Sequence, residues 1–169
     1  MTSTREATAD DLPEIDRLYR DEFRATFGHL YSDGDLAAFM ARFTPEAWAA
    51  EFSDPRYAFC LAEADGRIIG YCKIGPMHFP VEDCGDGARE LYQIYLGEAA
   101  KGKGVADALM NWSYEKAREL GGDTLYLSVF TENLRARRFY ERHGFVEVGP
   151  YEFRVGDHVD ADVILKRPL

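Results

Sequence analysis

The chain has 169 residues, 46% of them hydrophobic and 14% aromatic, with a formal net charge of −10. That length and apolar content suit one domain with a full core and exclude a disordered chain. The acidic balance argues against nucleic acid as a partner, and no apolar run approaches the roughly 20 residues that cross a bilayer.

In chain order, Arg5–Thr8 reads as a short strand. Asp10, Asp11 and Pro13 then open a helix that continues through Ile15, Leu18, Tyr19 and Phe23. Residues 27–31 are irregular, 33–42 predicts a second helix, and Thr44-Pro45 caps and starts a third, which Asp54-Pro55 ends. Tyr57–Glu63 and Arg67–Gly75 form a hairpin through the turn signal Asp65-Gly66. A long connection at 76–89, rich in Pro, Gly and acids, leads to an apolar strand, Leu91–Leu96.

Lys101-Gly102-Lys103-Gly104-Val105-Ala106 follows that strand and opens a helix over 102–119. Val105, Ala106, Leu109, Trp112, Ser113, Ala117 and Leu120 form its apolar side, and Gly121-Gly122 stops it. A buried strand at Leu125–Val129, a helix over Asn133–His143 with Gly144 as its stop, and strands at 145–148 and 162–166 complete the chain. The order predicts one α/β domain over 1–169, with a mixed central sheet of about six to seven strands flanked by helices.

The three cysteines, Cys60, Cys72 and Cys84, are too far apart for a C-x-x-C site, and their odd number argues against a disulfide framework. The first residues do not read as a signal peptide, so the expected location is cytoplasmic.

The glycine segment carries the strongest functional signal. A strand, a glycine loop and a helix start together make a cradle for phosphate. Glycine lets backbone amides approach a ligand closely, and the free N–H groups and dipole of a helix N-terminus favour an anion. Other glycine-loop patterns fit worse. A dinucleotide fingerprint needs a third small residue where this chain has Asp107, and no P-loop pattern is present. Charge is unevenly distributed. Residues 98–142 carry eight Lys/Arg and seven Asp/Glu, whereas the remainder holds twelve and twenty-three. An acidic body around this segment suits an anionic ligand at the loop and a cationic one elsewhere.

Several segments together resemble the GNAT family of acetyl-CoA-dependent N-acetyltransferases. Lys101-x-x-Gly104-x-Ala106 resembles the family's acyl-CoA loop, with Lys in place of the usual Gln or Arg. Leu127-x-Val129, Asn133, Arg135-Ala136 and Phe139-Tyr140-Glu141-Arg142-x-Gly144-Phe145 resemble its second block, and Arg5-x-Ala7-Thr8-x-x-Asp11 its common opening. The closing stretch, Gly156-Asp157-His158 through Asp162–Leu165, is similar to small bacterial spermine/spermidine acetyltransferases.

The resemblance implies acetyl-CoA as co-substrate, and the spacing of His29, His78, His143 and His158 implies no metal. The resemblance places the pantetheine arm along Ile94, Tyr95 and Leu96, and the pyrophosphate on Lys101, Gly102, Lys103, Gly104, Val105 and Ala106. Arg142 is then a phosphate ligand and Asn133 a pantetheine partner or a plain helix cap. Tyr140 becomes the acid that protonates the departing thiolate, because a phenol with a pKa of about 10 keeps its proton at neutral pH. The base is less defined. Glu90, at the entry to the central strand, and Tyr95 within it are the candidates, with Glu82, Asp83 and Asp86 on the preceding loop, and for each a solvent-facing role is the ordinary expectation. The expected acceptor is a small cationic amine, a polyamine first among them, and the expected assembly a monomer or homodimer. The alternatives are a protein N-terminal or lysine acetyltransferase, and an acyl-CoA-binding regulatory module without turnover.

Overall fold

The computed structural model describes residues 1–169. Its strands are β1 Thr2–Glu6, β2 Ala58–Ala64, β3 Arg67–Pro76, β4 Ala88–Leu96, β5 Thr124–Phe130, β6 Val146–Val155 and β7 His158–Pro168. Its helices are α1 Leu12–Phe27, α2 Asp33–Met40, α3 Pro45–Ser53, α4 Val105–Glu119 and α5 Leu134–Arg142. The strands form one seven-stranded sheet in the order β1-β2-β3-β4-β5-β7-β6. Every neighbouring pair is antiparallel except β4 and β5. The expected mixed α/β domain is therefore the one observed.

The sheet separates two cores. On one face, Leu109, Met110 and Ala117 of α4 and Tyr140 of α5 pack with Cys72, Ile74, Leu91, Leu125, Leu127 and Val163. On the other, α1–α3 bring Ile15, Phe23, Phe39 and Trp48 onto Phe59, Leu61 and Tyr71. The connection after β3 extends this second face, packing Phe79 with Ala88, Tyr126 and Ile164. Withdrawing each large apolar side chain from water contributes about 1.5–3 kcal/mol.

Local chemistry accounts for most boundaries. Asp65 and Gly66 adopt φ of 51° and 72°, the primed turn that matches strand twist. Thr44 accepts from the Ala47 N–H at 3.1 Å and Pro45 opens α3. Asn133 accepts from the Ala136 N–H at 3.3 Å and caps α5.

Three expectations need correction. The first strand lies at Thr2–Glu6, three residues earlier than Arg5–Thr8. Thr8 instead joins a capping arrangement, in which its backbone N–H donates to Asp11 Oδ2 at 2.7 Å and its hydroxyl to the same oxygen at 2.9 Å. The last two strands are ten and eleven residues long and form one hairpin, where short strands at 145–148 and 162–166 were expected. Edge strand β6 is largely exposed, and Gly149-Pro150 interrupt its alternation of apolar and polar residues, a break that an edge position tolerates. The glycine loop, finally, lies outside the helix, which begins at Val105 rather than 102.

Candidate active site

β4 and β5 pair only through Ala88–Glu90 against Thr124–Tyr126. Beyond that point β4 stays with β3 while β5 stays with β7, so the two strands diverge. The stretch Leu91–Leu96 thus turns one backbone edge, with its N–H and C=O groups, into the opening. A bulge sharpens this. Lys73 pairs with Gln93 and Ile74 with Leu91, leaving Tyr92 as the extra residue. Ile94, Tyr95 and Leu96 lie on this diverging stretch, paired to Cys72, Tyr71 and Gly70.

The loop after β4 starts with the Gly97 N–H bonded to the Ile69 carbonyl at 2.9 Å. Gly102 and Gly104 both have φ of +73°, a left-handed conformation that costs an L side chain about 1–2 kcal/mol. Gly104 is the N-cap of α4 and offers no side chain to its first-turn amides. Ala108 N–H donates to the Gly104 carbonyl at 3.1 Å, so the amides of Val105, Ala106 and Asp107 precede the helical ladder. Lys101, Gly102, Lys103 and Gly104 are exposed, Ala106 is half-buried and Val105 turns its side chain into the core. Amide donors, two lysines and a helix N-terminus together can hold a pyrophosphate.

The end of α5 is fastened beside this loop. His143 Nε2 stands 2.8 Å from Asp107 Oδ1 in the first turn of α4, and its Nδ1 2.9 Å from Tyr114 Oη. Arg142, exposed and next to His143, therefore lies on the same side of the molecule as the start of α4. Tyr140 is 8% exposed, its ring set against Phe139 and Phe145. Burial first, and the nearby Tyr114 second, raise its pKa, so the phenol stays neutral. Tyr95 is raised by burial, then by the charges of Tyr140 and Asp162. Tyr95 of β4 thus lies within electrostatic reach of Tyr140 of α5 and of Asp162 of β7.

Glu90 departs from the solvent-facing role expected of the acids near it. It is 1% exposed, whereas Glu82, Asp83 and Asp86 are exposed on the connection. The His78 backbone N–H donates to Glu90 Oε2 at 3.1 Å, and His78 Nδ1 lies 2.6 Å from the same oxygen. Burial raises the Glu90 pKa, and the bond and charge of His78 and the charge of Lys73 pull it back.

Sequence reasoning missed a second group of polar residues on this face. Lys73 is 2% exposed, 2.5 Å from Glu51 Oε2 and over the rings of Trp48 and Tyr92. Gln93 Oε1 accepts from Tyr71 Oη at 2.8 Å. Asp160 and Asp162 of β7 are 5% and 7% exposed. Tyr31 Oη donates to Asp160 Oδ2, and His158 Nε2 lies 3.1 Å from Asp160 Oδ1. Burial and the charge of Asp160 push the Asp162 carboxyl up to about 7, against a bond from Ser128. The alternation His158-Val159-Asp160-Ala161-Asp162-Val163-Ile164 held the signal, since every second residue of a strand shares a face.

Comparison with known proteins identifies the family and the fold. A profile described as the Acetyltransferase (GNAT) family matches residues 11–145. An uncharacterised N-acetyltransferase of Escherichia coli strain K12 is 30% identical over 166 residues, 98% of this chain and 93% of that protein. Another, encoded in the pepI 3′ region of Lactobacillus delbrueckii subsp. lactis, is 29% identical over 160 residues, 94% of this chain and 92% of the other. Among solved structures, PaiA N-acetyltransferase from Thermoplasma acidophilum in complex with coenzyme A superposes with a TM-score of 0.77. It is 18% identical, covering 100% of this chain and 99% of that one. The ribosomal-protein-S18-alanine N-acetyltransferase of Escherichia coli gives 0.73 at 17% identity, covering 99% and 94%. At these identities the two structures share the fold.

Proposed function

The chain belongs to the acetyltransferase (GNAT) family and is an acetyl-CoA-dependent N-acetyltransferase; from that premise we propose that its acceptor is a small cationic amine, attacked directly in a ternary complex. The observation that carries this reading is the set of buried carboxylates, Glu90, Asp160 and Asp162, on one face beside the β4/β5 divergence. Carboxylates kept from water attract a cation more strongly than exposed ones and raise its local concentration. A polyamine suits them, because one ammonium can rest on Asp160 and draw the neighbouring Asp162 into its ionised form while another amine loses its proton.

In this reading the backbone edge of Ile94–Leu96 pairs with the amides of the pantetheine arm as an added strand would. The amides of Gly102–Ala106, with Lys101, Lys103 and Arg142, hold the phosphates. Asn133 caps α5 and offers its amide N–H₂ to a pantetheine carbonyl. Glu90 takes the proton of the acceptor ammonium, freeing the nitrogen lone pair to attack the thioester carbonyl. The C–N bond forms, the C–S bond breaks, and Tyr140 donates its proton to the leaving thiolate. Thiol release from acetyl-CoA, followed with a panel of amines and with mass detection of the acetylated product, tests the proposal. Spermidine is expected to turn over well above neutral or anionic amines.

A further inference from the structure

Helix α4 begins with a run of unused donors. The backbone N–H groups of Gly102 through Asp107 make no hydrogen bond within the chain. Asp107 stands three residues after the N-cap Gly104, the position from which an acidic side chain ordinarily reaches back to the N-cap amide. The same chain does this just ahead of α1. Asp11 stands three residues after the N-cap Thr8 and accepts from the Thr8 N–H at 2.7 Å. Asp107 does not. Its Oδ1 lies instead 2.8 Å from Nε2 of His143, the residue that closes α5.

His143 is held at both ring nitrogens. A carboxylate only accepts, so Nε2 carries the hydrogen and donates to Asp107. Nδ1, 2.9 Å from Tyr114 Oη, then accepts from the phenol. Burial raises the Tyr114 pKa, against the pull of Arg167, so the phenol keeps the proton it donates. The imidazole also leans on Phe139, 4.6 Å away between ring centroids. The His143 side chain is 13% exposed and that of Asp107 is 60% exposed. The ring is therefore the fixed end of this contact and the carboxylate the movable one.

We propose that His143 is a positioning residue for acetyl-CoA, which draws the Asp107 carboxylate off the N-terminus of α4 and keeps the amides there free for the pyrophosphate. The inference rests on the reading of the loop at 101–106 as the phosphate site. Without the His143 donor, Asp107 competes with the ligand in two ways. Its carboxylate can turn back onto the Gly104 amide, as Asp11 does onto that of Thr8. Its charge, released from its donor, also opposes the phosphates at the positive end of the helix dipole. No proton changes hands; the contact needs only the hydrogen on Nε2.

Calorimetry with coenzyme A, together with steady-state kinetics of the full chain, tests this. His143→Ala should raise the coenzyme A Kd and the acetyl-CoA KM about three- to tenfold, within the range that a helix-capping bond commands. Its kcat at saturating acetyl-CoA should change little. His143→Phe keeps a ring against Phe139 but has no donor. It should weaken binding equally, and it serves as the second variant should the alanine chain fold poorly. His143→Gln restores an N–H toward Asp107 and should recover most of the affinity. In an Asp107→Ala background, His143→Ala should cost no further affinity. Wild-type coenzyme A affinity in His143→Ala or His143→Phe overturns the proposal. So does an equal weakening in the Asp107→Ala background, which would mean that His143 acts through packing alone, or a fall in kcat with KM unchanged. Gly104→Glu separates the two readings. Wild-type coenzyme A affinity in that variant removes the phosphate site itself, whereas lost affinity there beside unchanged affinity in His143→Ala removes only the role of His143.

Discussion

Lys73 Nζ lies 2.5 Å from Glu51 Oε2, with the ammonium enclosed by the rings of Trp48, Phe59 and Tyr92. Strand β3 and helix α3 are joined there by an ion pair whose lysine is 2% exposed. Burial lowers the Lys73 pKa, and the charge and hydrogen bond of Glu51 oppose that. Glu51→Ala leaves a buried cation unpaired and should cost about 3–5 kcal/mol, less whatever the lysine recovers by losing its proton. Lys73→Met, with a flexible apolar side chain among three aromatic rings, should cost much less. Urea denaturation of both variants checks the order.

The glycine loop should fail in a particular way. Gly104 has φ of +73°, and a Cβ built there meets nothing within 4 Å. Gly104→Ala should therefore lose about 1–2 kcal/mol through backbone strain alone. Gly104→Glu adds a negative charge beside the phosphate-binding amides. Calorimetry should show acetyl-CoA binding weakened far more in the glutamate variant than in the alanine one. Equal weakening would mean that strain, not the cradle, governs binding.

Asp162 gives stability a pH dependence of known sign. Its carboxyl rises from 3.8 to about 7 in the folded chain. Between those values the folded state holds a proton that the unfolded state releases, so stability falls as pH rises through that window. Asp162→Asn should flatten the decline. Thermal melts at pH 5 and pH 7.5 make the comparison, and an unchanged slope in the variant would show that Asp162 ionises normally.

The pH dependence of the reaction follows from Glu90. Burial raises this carboxyl, so its base form disappears at higher pH than an exposed glutamate's would. The acidic limb of the kcat profile should therefore lie above the ordinary value of 4.5. A Lys73→Met variant, which removes a charge that favours the carboxylate, should move that limb upward. A limb that stays in place would detach Glu90 from the rate.

Much of the fold was legible because its elements carry local signals. Thr44-Pro45, Asp65-Gly66, Asn133 and Gly144 each mark a boundary through capping or backbone chemistry. The loop at 101–106 was legible for the same reason, since glycine and lysine at a strand-to-helix junction state their chemistry in sequence order. The hairpin of β6 and β7 was not, because β6 is an exposed edge whose alternation is broken by Gly149-Pro150. The acceptor side was hidden for a different reason. His78 and Glu90 are twelve residues apart, and Tyr31 and Asp160 are 129 apart. No local pattern joins such pairs; the topology does. Charge counting directed attention to Glu82, Asp83, Asp86 and Glu90, of which Glu90 alone is buried, and passed over Asp160 and Asp162 of β7.

Tyr140 should act through its proton alone. Tyr140→Phe keeps the ring between Phe139 and Phe145 and removes the hydroxyl. General acid catalysis contributes roughly 10²–10⁴ in rate, so kcat should fall within that range while acetyl-CoA affinity changes little. A wild-type kcat would leave Tyr140 with a packing role only.

The most direct measurement is kcat/KM for spermidine against neutral and anionic amines, at low and high salt, in the wild-type chain and in Asp160→Asn/Asp162→Asn. The buried carboxylates predict strong preference for spermidine, a decline with added salt, and loss of preference in the double variant with turnover of neutral amines retained. Turnover confined to neutral or anionic amines, insensitive to salt, would contradict it.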